Sequence, residues 1–267
     1  MAILGDGPIN QIESIPLENA VRDMLTTNEH YPAAPATANR IRSTCRAFFA
    51  WCLATGLTVD NPASALRLQK SPSPRTVGFK PGELDLFFQA IRLSGDPRAL
   101  RDEALFGIYA CTGLRRGEAL QLLLGDYDRV QRLLFIRRSK TGDLERMPIS
   151  TTLASVLETY IRNADIDDEG YLFPGYRCGA PLSSRQAHVR FEKWKAHAAL
   201  RPDLTIHSFR VSFASLVYQE SRDILLVSRA LGHKDVRTTD RYVRLDEWAM
   251  REVVERVFAG ERSLFGE

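Results

Sequence analysis

The sequence predicts a mainly helical protein of two domains with one small antiparallel β element. Three observations carry that prediction. Apolar residues recur at helical spacing through most of the chain, as in Ile41, Cys45, Phe48, Phe49 and Cys52, or Phe209, Phe213, Leu216 and Val217. Ser71-Pro72-Ser73-Pro74 breaks every periodic pattern, and its alternating prolines favour an extended, exposed path, which marks a linker over about 71–79. Only residues 132–149 read as strands: Leu133 to Ile136 are rich in strand formers, Lys140-Thr141-Gly142-Asp143 is a turn, and Leu144 to Ile149 returns. The domains so divided are 1–74, with residues 1–16 expected to be a flexible tail, and 75–267.

Taken in order, Leu17 to Leu25 has a helical pattern, and Pro32-Ala33-Ala34-Pro35 separates it from the helix that carries Ile41 to Cys52. Gly56 and Asn61-Pro62 mark a turn, after which Ala63 to Leu68 begins a short helix. Beyond the linker the periodicity resumes with Pro81 in a first-turn position and Leu84, Leu86, Phe87, Ile91 and Leu93 as the apolar set. Further helices are expected around Ala99 to Tyr109, over Glu118 to Leu124, and through 151–200 with an interruption at 165–181. Asp167-Asp168-Glu169-Gly170 in that interruption lacks the ligand spacing and closing glutamate of a calcium loop, so it reads as a solvated turn. Ile224, Leu225 and Val227 to Leu231 suggest a largely buried helix, ended by Gly232 in a left-handed cap. Trp248, Met250, Val253, Val254, Val257 and Phe258 predict a last apolar helix over about 245–260.

A length of 267 residues suits one large or two modest domains, and 44% hydrophobic with 26% charged residues is the balance of a soluble globular protein. No apolar run approaches the roughly 18 residues of a membrane helix. The opening MAILGDGPINQIESI lacks the basic and apolar regions of a secretory signal, so a cytoplasmic location and no membrane partner are expected. Cys45, Cys52, Cys111 and Cys178 show no metal-ligand spacing; the first three fall on apolar helical positions and read as reduced core residues. The net charge of +3 is too small to imply a polyanionic partner, but its distribution is uneven. Residues 37–75 carry Arg40, Arg42, Arg46, Arg67, Lys70 and Arg75 against Asp60 alone, and Arg40, Arg42 and Arg46 lie off the apolar face of their helix.

Candidate chemistry concentrates between Thr205 and Tyr242. His207 and Arg210, spaced i, i+3, project from one helical face, His233 falls just past a helix end, and Tyr242 follows a polar stretch. Upstream, Thr112-Gly113-Leu114-Arg115-Arg116-Gly117-Glu118 places another arginine between two helices, with Glu118 spaced to orient Arg115. The H-x-x-R box, the L-G-H box with a tyrosine nine residues on, the T-G-L-R-x-x-E segment and Lys140 in a hairpin turn together resemble the tyrosine recombinases, the phage-integrase family. The compact, two-domain members, such as the Xer group, transposon resolvases and small phage integrases, are the most similar in organisation, since residues 1–36 leave no room for a separate arm-binding domain. Val211, where many relatives carry a second histidine, is a departure.

That resemblance implies an N-terminal helical core-binding domain and an α-rich catalytic domain of the tyrosine recombinase fold. It implies a catalytic set of Arg115, Lys140, His207, Arg210, His233 and Tyr242, with Glu118 supporting. A phosphodiester demands neutralisation of its non-bridging oxygens, a nucleophile and a proton for the leaving group. The guanidinium forks of Arg115 and Arg210 suit the first task, so no metal or other cofactor is required. Tyr242 suits the second and would form a 3′-phosphotyrosine that stores the bond energy, so that religation needs no ATP. His207 and His233 serve proton transfer or phosphate contact, and Lys140 protonates the 5′-oxygen. Arg40, Arg42, Arg46, Arg67, Lys70 and Arg116 become DNA contacts. The implied partners are double-stranded DNA with a specific core site of inverted repeats, and three further copies of the chain in a tetramer joined by exchange of the C-terminal helix, on the nucleoid. An accessory DNA-binding protein that sets direction is left open. Two other readings stay in view: an architectural or repressor protein of the same fold, and a type IB topoisomerase-like enzyme.

Overall fold

The computed structural model describes residues 7–26, 35–70, 77–137, 144–177 and 179–232. The chain divides into two compact units, Met1–Arg75 and Thr76–Glu267. Among the described residues, no helix is long and apolar enough to cross a membrane.

In the first unit, helix α1 (Ser14–Thr26) and helix α2 (Pro35–Ala54) enclose a small core of Leu17, Val21, Phe49, Ala63 and Leu66. Part of the stretch 1–16, expected to be a flexible tail, takes up regular structure. Helix α1 begins at Ser14, and Ile9 and Ile12 already pack against the core. Phe48, expected on the buried face of α2, is exposed. The buried stripe is centred on Ala38, Phe49 and Cys52, which leaves Phe48 on its rim with its ring 6.3 Å from that of Trp51. After α2, a 3₁₀ turn over Pro62–Ala65 replaces the short helix expected to Leu68; the Asn61 side chain accepts from the Ala63 amide, and the backbone turns extended at Leu66. Asn39 then exchanges hydrogen bonds with the backbone of Gln69 at 2.7 and 2.8 Å, which holds residues 66–70 beside the start of α2.

The second unit opens with α3 (Glu83–Arg92), whose N-cap is Gly82, so Pro81 precedes the helix and lies outside its first turn. Leu84, Phe87, Phe88 and Ile91 supply the inward face, at i, i+3, i+4 and i+7. Leu86 and Leu93 fall off that face and are exposed. Helix α4 (Ala99–Thr112) runs through the centre and is buried along most of its length. Short α5 (Arg116–Leu120) follows, then a three-stranded antiparallel sheet of β1 (Tyr127–Asp128), β2 (Leu133–Arg137) and β3 (Leu144–Pro148), in that order. Strand β1 has no signal in the sequence, because two residues are too few to show alternation. Leu134 and Ile136 point to the core, and Leu134 faces Met147 across the hairpin. Helices α6 (Thr151–Asn163), α7 (Ser184–His197), α8 (Ile206–Ser221) and α9 (Ile224–Ala230) complete the described part. The 167–170 stretch closes a turn, with the Gly170 amide donating to the Asp167 carbonyl at 2.8 Å.

Aromatic rings gather where α3, α4, α7 and α8 meet. Phe87, Phe106, Phe191 and Phe209 are all fully buried, with Phe209 centroids 5.3 to 5.9 Å from the other three. Beside them, the buried Asp102 of α4 accepts from Arg190 Nε at 2.5 Å, Trp194 Nε1 at 2.8 Å and Arg101 Nη2 at 2.8 Å. Burial alone would lower the Arg190 pKa; hydrogen bonds and charge from Asp102 and Asp96 hold it above its ordinary value. Of the cysteines read as core, Cys52 is buried, Cys45 is half-buried and Cys111 is exposed.

Candidate active site

Helix α4 ends in the Thr112-Gly113-Leu114-Arg115 turn. Thr112 Oγ1 donates to the Ile108 carbonyl at 2.5 Å and accepts from the Leu114 amide at 3.3 Å, and Gly113 adopts φ 62°. A Cβ at Gly113 would stand 2.4 Å from Phe213 Cδ1 and 3.0 Å from Leu231 Cδ2. Both the left-handed conformation and the space therefore exclude other residues. Gly113→Ala is expected to destabilise the second unit by about 2–4 kcal/mol, adding left-handed strain to overpacking. Chemical denaturation checks this, and unchanged stability would refute the close packing around this turn.

Arg115 is extended and precedes α5, so its relation to Glu118 is not the shared helical face expected from i, i+3 spacing. Glu118 sits at the third helical position and reaches back. One carboxylate oxygen accepts from the Arg115 amide and the other from Arg115 Nη1, both at 2.9 Å. A carboxylate that caps the backbone and grips the guanidinium of one residue fixes that residue in place. The Glu118 side chain is almost fully buried, whereas that of Arg115 is about half exposed at 46%. Arg116 is exposed, and its carbonyl accepts from the Tyr109 hydroxyl at 3.1 Å. Burial pushes the Tyr109 phenol well above its ordinary pKa, although Arg116 pulls it down. Tyr109 is thus a structural donor and a poor phenolate.

Helix α8 carries the H-x-x-R box at its start. Ser208 Oγ caps it by accepting from the Thr205 amide at 3.0 Å, and the run from Ser208 to Ser212 is buried. The expected stripe is only partly inward: Phe209 is fully buried, but Leu216 is exposed. His207 is exposed, while Arg210 is only 2% exposed. Instead of standing clear on an open face, the Arg210 guanidinium donates from Nη1 to the Gly113 carbonyl at 2.5 Å and from Nη2 to the Leu231 carbonyl at 2.7 Å. A buried guanidinium must find acceptors, and these two come from the T-G-L-R turn and the end of α9. Asp223 caps α9 by accepting from the Leu225 and Leu226 amides, and Gly232, at φ 61°, ends it. Helix α9 is less buried than expected. Val227 and Ser228 face inward with Leu231, whereas Leu225 and Leu226 are exposed.

Arg210 therefore ties together three motif segments that are far apart in sequence. Lys140, His233, Tyr242 and the last apolar helix lie outside the described residues. The base of the hairpin that bears Lys140 is anchored by Arg137 Nη2 on Asp126 Oδ1 at 3.0 Å, a contact with no signal in the sequence. In the first unit, Arg40, Arg46, Arg67 and Lys70 are exposed and Arg42 is half-buried. Arg42 and Arg67 line a cavity of about 370 Å³ with Glu18, Arg22 and Gln69. Arg42 Nη1 is buried and has no hydrogen-bond partner among the described residues.

Residues 79–248 match the family model described as the phage integrase family. Tyrosine recombinase XerC of Xanthomonas campestris pv. campestris (strain B100) is 30% identical over 246 residues, spanning 91% of this chain and 73% of that protein. XerC of Xylella fastidiosa (strain 9a5c) is 30% identical over 239 residues, spanning 88% and 79%. Among solved structures, the XerH site-specific recombinase bound to palindromic difH substrate in a post-cleavage complex aligns with TM-score 0.71 at 20% identity, covering 92% of this chain and 73% of that one. A lambda integrase dimer bound to a COC′ core site aligns with TM-score 0.67 at 22% identity, covering 90% and 67%. These solved structures share the mainly helical fold with its small antiparallel sheet.

Proposed function

Since this chain belongs to the phage integrase family, we propose that it is a tyrosine-type site-specific DNA recombinase in which Tyr242 is the nucleophile. The observation that carries the reading is the pair of hydrogen bonds from buried Arg210 to the Gly113 and Leu231 carbonyls. They orient one guanidinium within two residues of Arg115 on one side and of His233 on the other. Arg115, held by Glu118, and Arg210 neutralise the non-bridging oxygens as phosphorus becomes five-coordinate. The Tyr242 oxygen attacks phosphorus, the 5′-oxygen leaves with a proton from Lys140, and a 3′-phosphotyrosine results. His207 and His233 take the phenolic proton or donate to phosphate oxygens. Attack by the 5′-hydroxyl of a second strand then displaces tyrosine through a junction intermediate, within a tetramer joined by the C-terminal helix.

The first unit, in this reading, is a core-binding domain whose Arg40, Arg42, Arg46, Arg67 and Lys70 hold DNA phosphates, with Arg116 a further contact. The exposure of Arg40, Arg46, Arg67 and Lys70 supports this assignment, because a side chain that holds a phosphate must be reachable from solvent. The site would operate in the cytoplasm on a core sequence built of inverted repeats.

Covalent capture tests the proposal. The protein is incubated with fragmented DNA of its source organism, denatured, and the attached DNA is sequenced. A single enriched inverted-repeat site is expected for wild type, and no adduct for Tyr242→Phe. Adducts equal in the Tyr242→Phe variant would refute the nucleophile, and adducts without a common sequence would point to a topoisomerase-like enzyme.

A further inference from the structure

Three residues of one turn of α8 surround Arg210 in sequence, and all three are touched by the segment that opens the second unit. The Phe79 ring lies 4.7 Å, centroid to centroid, from that of Phe209. Gly78 packs on the residues after the arginine; a Cβ added there would sit 3.4 Å from Val211 Cγ1 and 3.0 Å from Ser212 Oγ. Ser212 Oγ in turn accepts from the Phe79 amide at 2.7 Å, across 133 residues of sequence. The far side of the segment is fastened as well. Arg201 donates from Nη2 to the Gly78 carbonyl and from Nε to Glu83 at 3.0 Å, and Glu83 accepts from the Lys80 amide at 2.6 Å.

We propose that Gly78 and Phe79 form a strap that sets the rotation of α8 about its axis, and that Ser212 is the positioning residue through which the strap holds Arg210. This rests on the reading of Arg210 as a ligand of the scissile phosphate. A side chain tip stands about 5–6 Å from a helix axis, so a 10° rotation moves it by about 1 Å. Such a shift would break the short bonds from Arg210 to Gly113 and Leu231 and misplace the fork against phosphate. The Phe209 ring is held among other rings at one azimuth of α8 by non-directional contacts. The hydroxyl of Ser212 adds a directional bond at a second azimuth, and a directional bond is what fixes a rotation.

The test uses the full chain and fragmented DNA of its source organism, following covalent adduct formation as a function of DNA concentration. Ser212→Ala, Ser212→Thr, Gly78→Ala and Arg210→Lys are compared well below their melting temperatures. Ser212→Ala is expected to lower the maximal rate about tenfold to a hundredfold, the cost of a misplaced reacting group, with the half-saturating DNA concentration unchanged. Ser212→Thr, which keeps the hydroxyl, should restore the rate, and Gly78→Ala should reproduce the loss from the other side of the contact. A wild-type maximal rate in Ser212→Ala, no rescue by threonine, or a loss confined to DNA affinity would each overturn the strap. An inactive Arg210→Lys beside a fully active Ser212→Ala would sink the strap alone. A fully active Arg210→Lys would sink the reading of Arg210 and the strap with it.

Discussion

Arg210→Lys is expected to reduce covalent adduct formation by about 1,000-fold, the scale on which a positioned arginine or oxyanion donor stabilises a charged transition state. The charge is conserved in this variant, so the loss reports geometry. Arg210 reaches two carbonyls on different segments with two nitrogens of one planar group. An ammonium is a point donor on a flexible stem and cannot span both while facing a phosphate. One of the two carbonyls would be left buried without a donor, at a cost of about 1–3 kcal/mol, so a modest fall in stability should accompany the catalytic loss. Thermal unfolding separates the two effects. If lysine supports adduct formation at near the wild-type rate, the bridging geometry is irrelevant to the chemistry.

The largest effect on stability is expected from Asp102→Ala, at about 3–5 kcal/mol, the cost of leaving a buried charge without its partner. Asp102 is completely buried and is shared by Arg190, Arg101 and Trp194. Removing the carboxylate leaves Arg101 and the Trp194 indole N–H short of an acceptor and leaves Arg190, at 10% exposure, with Asp96 alone at 2.9 Å. Helix α4 would lose its polar tie to α7, keeping the Phe106 to Phe191 ring contact, and α4 ends in the turn that carries Gly113 and Arg115. At about 2–4 °C per kcal/mol for a domain of this size, the melting temperature of the second unit should fall by about 10 °C. Asp102→Asn, which preserves volume and one acceptor, should cost less. A melting temperature close to wild type in Asp102→Ala would show that the network is dispensable.

The local geometry of the candidate site was legible where the signal is local. The H-x-x-R and T-G-L-R-x-x-E boxes are short, their residues lie within one turn or one cap of each other, and helical spacing alone predicts that His207 and Arg210 travel together. The Arg115 to Glu118 contact was also foreseeable, although its cause is a helix cap and not a shared face. Misreadings came from the rims of apolar stripes. Phe48, Leu86, Leu93, Leu216 and Leu225 fit a helical period but are exposed, because periodicity shows that a face exists and not how wide its partner is.

By itself the sequence determined the fold class and the order of the motif segments, since these follow from periodicity, turn chemistry and residue types at short spacing, and those motifs carry the resemblance to the family. Tertiary structure alone decided that Asp102 binds Arg190 and Trp194 across 88 and 92 residues, that Ser212 holds Phe79 across 133, and that Arg210 closes on Gly113 and Leu231 across 97 and 21. Such contacts leave no periodic trace, because a buried donor is satisfied by whichever acceptor the packing of distant helices brings within about 3 Å of it.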